Sequence, residues 1–142
     1  MSFDAVGSPE RAAAFMRRVL PDNVREHFLT LFLDNRNQVV SYFVAATGTA
    51  SSCPVGAKEL FQAALAAGAA SMIVGHNHTS GQNAGEIIPS REDAAVTQRL
   101  SEAGELLGIP VLDHLIIGNV GFYSFHQQGQ IPSRKLSTSP PS

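Results

Sequence analysis

Gly75-His76-Asn77-His78, a spacer from Thr79 to Pro89, and Ser90-Arg91-Glu92-Asp93 form the stretch on which the reading of this chain turns. The two histidines follow the apolar run Ser71-Met72-Ile73-Val74, which reads as a short buried strand. Side chains alternate along a strand, so His76 and His78 share one face and Asn77 takes the other. Ser90-Arg91-Glu92-Asp93 reads as a capping box opening a helix, with Ser90 as N-cap and Asp93 reaching back from the third helical position. An H-x-H pair alone, or a capping box alone, is more often structural than functional. Here a strand end and a helix start converge, and two imidazoles plus one carboxylate supply three ligands. That is the ligand number of a catalytic zinc site, which keeps its fourth position for water.

Outward from this stretch the chain alternates helical and extended patterns. Ser8 and Pro9 open a helix with an apolar stripe at Ala12, Phe15, Met16 and Val19, closed by Pro21. Residues 27–34 are almost continuously apolar, the pattern of a strand buried on both faces. Asp34-Asn35-Arg36-Asn37 is turn chemistry, and residues 38–47 return as the second arm of a hairpin. A polar connector, 49–54, leads to a helix from Val55 to near Gly68. Residues 69–75 then form the strand that delivers the histidines. After the 79–89 loop a helix is expected over 91–107, with Gly108 as a left-handed cap. Residues 109–117 and 121–125 make two further strands. The order α-β-β-α-β-α-β-β predicts an α/β fold, a mixed β-sheet flanked by helices. Residues 1–7 are expected to be flexible, and the Ser/Pro/Thr-rich tail 129–142 disordered.

Composition narrows the classes. The chain has 142 residues, 44% of them apolar, enough for one compact core. Twelve acidic and ten basic residues give a formal charge of −2. The basic residues are scattered, without the stripe that phosphate binding needs, so strong direct nucleic-acid binding is not expected. Cys53 is the only cysteine, which excludes an internal disulfide. The first residues lack the regions of a signal peptide, and no stretch approaches the ~20 apolar residues of a membrane span. These features predict a cytoplasmic protein with no membrane partner.

A hydrolase built here needs a base for the attacking water and a donor for the developing oxyanion. Ser90, one turn before Asp93, and the helix N-terminus beside it are candidate donors. Four glutamates compete for the base: Glu26 before the first strand, Glu59 in the first turn of the second helix, Glu86 in the loop and Glu92 beside Asp93. Spacing does not choose among them.

The segments His76-Asn77-His78-Thr79-Ser80-Gly81, Pro89-Ser90-Arg91-Glu92-Asp93 and Val111-Leu112-Asp113-His114-Leu115-Ile116-Ile117-Gly118 resemble the RadC-like family, historically labelled DNA repair proteins. That family is a branch of the JAMM (MPN-type) metalloprotease superfamily. Arg25-Glu26-His27-Phe28, Leu33-Asp34, Gly48-Thr49 and Lys58-Glu59-Leu60-Phe61 match it in order, and the likeness covers roughly residues 8–128 as one domain. The resemblance implies the layered JAMM/MPN architecture, shared with cytidine deaminases. It also implies one Zn2+ held by His76, His78 and Asp93, Glu26 as general base with Glu59 in reserve, and Ser90 helping to hold the oxyanion. Asp113 and His114 take a supporting role in the sheet. The implied activity is that of a zinc peptidase or isopeptidase with a peptide or protein substrate. The chain departs from the family in its spacer, whose eleven residues exceed the usual number, and in Thr79 where proline is common. It also carries no match to the helix-hairpin-helix segment found upstream in longer relatives.

Three other readings compete. A non-catalytic interaction module in DNA repair or mobile-element biology would dispense with a full ligand set. A nucleobase deaminase requires H-x-E with P-C-x-x-C, and this chain has neither. A Cys53 nucleophile paired with a histidine is the remaining alternative.

Overall fold

The computed structural model describes residues 5–46, 56–78 and 87–132. Its elements are α1 (Pro9–Val19), β1 (His27–Leu33), β2 (Val39–Ala46), α2 (Ala57–Ala67), β3 (Ser71–Asn77), α3 (Arg91–Leu107), β4 (Val111–Ile117) and β5 (Phe122–Ser124). The five strands form one sheet in the order β2-β1-β3-β4-β5. β1 pairs antiparallel with both β2 and β3, β3 runs parallel to β4, and β5 returns antiparallel to β4. The α/β class and mixed sheet read from the sequence are therefore the observed ones.

Why β1 sits between β2 and β3 follows from its composition. Every one of its residues is buried, as a strand covered on both faces must be. Leu29, Leu31 and Leu33 join Phe15 and Met16 of α1 in one core. Phe28 and Phe32 join Leu60 and Phe61 of α2 and Val96 and Leu100 of α3 in the other. The helices thus divide, α1 on one face of the sheet and α2 with α3 on the opposite face. In the β1–β2 turn, Asp34 Oδ1 accepts from the N–H groups of Arg36 (2.8 Å) and Gln38 (3.0 Å), and Asn37 takes the left-handed conformation at φ 61°.

Helix boundaries obey local chemistry. The Ser8 side chain accepts from Arg11 N–H at the start of α1, and Pro9 occupies the first turn, where it sacrifices no hydrogen bond. Gly68 and Gly108 end α2 and α3 with φ of 69° and 76°, a region that favours glycine. One difference from expectation concerns the site. β3 does not stop at Gly75 but runs through His76 to Asn77, because β4 lies alongside and pairs Asn77 with Ile117. Within the segment expected to be flexible, Ala5 bridges Gln38 and Val6 is buried in the α1 core, its N–H donating to Asn37 O at 2.8 Å. The Gly48-Thr49 pair, the 49–54 connector with Cys53, loop residues 79–86 and tail residues 133–142 lie outside the described residues. Among the described residues no helix is long and apolar enough to cross a membrane.

Gly104 marks where α3 docks. A Cβ there would lie 2.5 Å from the Ile109 carbonyl oxygen, a backbone atom with no side-chain freedom to yield. Gly104→Ala is expected to lower stability by about 1–3 kcal/mol, despite the ~1 kcal/mol that alanine gains in helix propensity. Urea denaturation of the two proteins checks this, with an unchanged midpoint as the contrary result.

Candidate metal centre

β3 carries His76 near its C-terminal end, His78 follows directly after it, and α3 has Asp93 in its first turn. Ends of strands and starts of helices are where α/β sheets build their sites. The imidazole rings of His76 and His78 lie 5.1 Å apart between centroids, on one face as strand alternation requires. His76 Nε2 lies 3.2 Å from Asp93 Oδ1. One donor atom from each of His76, His78 and Asp93 falls within 4.8 Å of the other two.

The donor set fits a single divalent ion. Bonds of ~2.0–2.2 Å at the tetrahedral angle place two ligand atoms about 3.3 Å apart, close to the His76–Asp93 spacing. Two neutral nitrogens and one carboxylate suit zinc. Both oxygens of Asp93 are oriented by the capping box. Oδ2 accepts from Ser90 N–H at 2.7 Å, while Ser90 Oγ accepts from Asp93 N–H at 3.0 Å, leaving Oδ1 turned towards His76. Burial acts to raise the Asp93 pKa, but the hydrogen bond and charge of His76 and the Ser90 N–H outweigh it and hold the carboxyl well below its ordinary range. The carboxylate is thus ionised, as a ligand must be.

The remaining sequence candidates occupy different positions relative to this centre. Phe28 of β1 is the register partner of His76, and Glu26 lies two residues before it, just ahead of β1. Asn77, buried between the two histidines, fixes that segment. Its Oδ1 accepts from His27 N–H at 2.8 Å and its Nδ2 donates to Arg25 O at 3.0 Å, bracketing Glu26 on both sides. Glu59 instead folds back over its own helix start, where a Cβ on Gly56 would collide with its carboxylate. Glu92 is exposed and Glu86 lies outside the described residues. Ser90 is exposed, and its Oγ, already accepting from Asp93, retains the O–H as donor.

His114 and Asp113 form a layer behind the donors. His114 Nε2 lies 3.0 Å from His76 Nδ1, and His114 Nδ1 lies 2.5 Å from Thr97 Oγ1. The Phe125 ring stacks on His114 at 4.9 Å with 11° between planes. Asp113 fastens that aromatic in place, accepting from Ser124 Oγ at 2.6 Å, His126 N at 2.9 Å and His114 N at 2.7 Å. Burial drives the Asp113 pKa up against these donors. Burial, helped by the neighbouring His76 charge, pushes the His114 pKa down to about 3. Thr97 and Asn77 were not singled out by sequence reasoning as parts of the site. Asn77 was legible only as the residue facing away from the histidines, and Thr97 as a polar position one turn after Asp93.

A match to known proteins follows the same residues. The model of the RadC-like JAB domain aligns with residues 6–130. The chain belongs to that family. It is 46% identical over 123 residues to a UPF0758 protein of Desulforamulus reducens, covering 87% of this chain and 52% of the relative. A UPF0758 protein of Bacillus licheniformis is 44% identical over 123 residues, covering 87% and 53%. One of Trichlorobacter lovleyi is 43% identical over 122 residues, covering 86% and 51%. This RadC-like JAB chain spans about half the length of the curated relatives it matches.

The low His114 pKa gives the metal-free protein a pH signature. An unfolded histidine takes up a proton near pH 6.5, which the folded site refuses until about 3. The stability that this buried neutral ring contributes is complete above pH 6.5 and is lost as pH falls through that window, on the order of 1 kcal/mol per pH unit. Denaturation midpoints of metal-free protein between pH 7 and pH 4, compared with His114→Gln, check this. A slope equal in both proteins would contradict it.

Proposed function

We propose that this chain holds one zinc ion between His76, His78 and Asp93 and hydrolyses an amide or isopeptide bond in a peptide or protein substrate. The reading rests on one observation, the convergence of three ligand atoms from β3 and α3 with His76 and Asp93 3.2 Å apart. Membership of the RadC-like JAB domain family supports it. So does the full donor set, which a non-catalytic interaction module would not need.

Zinc in a three-ligand site supplies Lewis acidity, lowering the pKa of water to about 7 and polarising a carbonyl. The protein's own groups supply the rest. Glu26, just ahead of β1, takes the proton of the attacking water and passes it to the leaving nitrogen. Asn77 keeps that carboxylate's backbone in register with the histidines. The Ser90 hydroxyl donates to the oxygen on which negative charge develops. With a formal charge of −2 and scattered basic residues, a peptide is the better match than a nucleic acid.

Protein purified without added metal is expected to carry about one zinc per chain, and His78→Ala to lose it. Glu26→Gln is expected to keep the zinc while losing roughly 10²–10⁴-fold in hydrolysis of a peptide or isopeptide library. Metal content by mass spectrometry and cleavage rates measure both. Wild-type protein without zinc overturns the reading, and full activity in Glu26→Gln removes that residue from the base role.

A further inference from the structure

Behind the donor triad runs a closed chain of hydrogen bonds that joins both ligand-bearing elements. It starts at His76 Nδ1 on β3, crosses to His114 Nε2 on β4 at 3.0 Å, leaves from His114 Nδ1 to Thr97 Oγ1 on α3 at 2.5 Å, and ends with Thr97 Oγ1 donating to the Asp93 carbonyl at 2.8 Å. The His114 ring and Thr97 are each only 1% exposed. Phe125 stacked on one side and the Phe28 edge at 6.2 Å keep the ring in plane. Water has no access to satisfy a wrongly placed proton, so the arrangement of protons along the chain carries a cost if it is broken.

Only one arrangement serves a metal ligand. His76 faces Asp93 through Nε2, so Nε2 must present a lone pair to a shared ion and Nδ1 must carry the hydrogen. His114 Nε2 then has to accept, which puts the hydrogen of a neutral His114 on Nδ1. That hydrogen needs an acceptor, and Thr97 Oγ1 accepts because its own hydrogen goes to the Asp93 carbonyl. The reverse arrangement, with a hydrogen on His114 Nε2, would turn His76 Nδ1 into an acceptor. It would leave N–H at Nε2, where the ion belongs.

We propose that Thr97 and His114 are positioning residues that set the tautomer of His76 and keep its Nε2 open to the metal. The chain ties that tautomer to the backbone carbonyl of another ligand, Asp93. A ligand imidazole is ordinarily oriented by a carboxylate or a carbonyl. A second, neutral imidazole does so here, and it can accept only because a hydroxyl behind it accepts in turn. The inference rests on the proposed metal site, and the test separates the two.

Thr97→Val keeps the shape of the side chain and removes the acceptor. Thr97→Ser restores the acceptor and serves as the rescue. Nitrogen NMR of the histidine rings in metal-free protein reads the tautomers, and competition with a chromophoric chelator reads zinc affinity. In wild-type protein His114 is expected to carry its hydrogen on Nδ1, with Nε2 bare, whether or not zinc is present. Thr97→Val is expected to move that hydrogen to Nε2 and to weaken zinc binding by roughly 10–100-fold, with Thr97→Ser close to wild type. Hydrogen on Nε2 of wild-type His114 overturns the inference, and so does Thr97→Val with an unchanged tautomer and unchanged zinc affinity. Wild-type protein with the expected tautomers but no zinc binding would overturn the metal reading while upholding the relay. The ring spectra of the wild-type chain decide the point even if Thr97→Val does not fold.

Discussion

The carboxylate of Asp93 is shared between the backbone of its own helix and the histidine of a neighbouring strand, and the site depends on that division. One oxygen accepts the Ser90 N–H and the other faces His76. A capping interaction stabilises a helix start by about 1 kcal/mol. Here it also fixes the carboxylate rotamer, so the residue that begins α3 and the residue that offers a ligand atom are oriented by the same bonds. The capping box of Ser90-Arg91-Glu92-Asp93 and the carboxylate turned towards His76 are therefore one structure.

This arrangement explains why the long spacer leaves the donor geometry intact. α3 is positioned by Val96 and Leu100 in the core and by Gly104 against the Ile109 carbonyl, all beyond the loop. Extra residues between His78 and Ser90 add little closure entropy, since that cost grows only logarithmically with length. Position is set by packing, orientation by the cap. The sheet contributes the other half. β3 lies between an antiparallel and a parallel neighbour, so its C-terminal end is held on both sides up to His76 and by β4 through Asn77. Asn77 ties the approach to β1 to this end with two hydrogen bonds through one carboxamide, to His27 N–H and the Arg25 carbonyl.

Much of this was legible in the sequence, and what was not has a physical reason. Continuous apolar residues announced β1 as a central strand, while Ser8, Pro9, Ser90, Gly68 and Gly108 marked helix ends through local backbone chemistry. His76, His78 and Asp93 could be grouped because strand alternation and helix caps are short-range rules. The end of β3 was misjudged because His-Asn-His is polar, and only pairing with β4 shows that Asn77 belongs in a ladder. Local spacing does not choose between Glu26 and Glu59, because which glutamate approaches the histidines depends on tertiary packing. The family resemblance gives His114 a supporting role, but its contact with Thr97 was harder still to read. Threonine inside a helix usually bonds its own backbone, and this one does so while also meeting a histidine from another strand. Contacts of that kind arise from tertiary packing and leave no periodicity to read.

The central claim is that three side chains from β3 and α3 enclose one ion. A crystal of the zinc-loaded protein, with anomalous difference maps from data on either side of the zinc edge, tests it most directly. The account predicts a single peak about 2.0–2.2 Å from His76 Nε2, an imidazole nitrogen of His78 and Asp93 Oδ1, with one further position open. A peak elsewhere in the protein, or none at these residues in crystals that contain stoichiometric zinc, would contradict it.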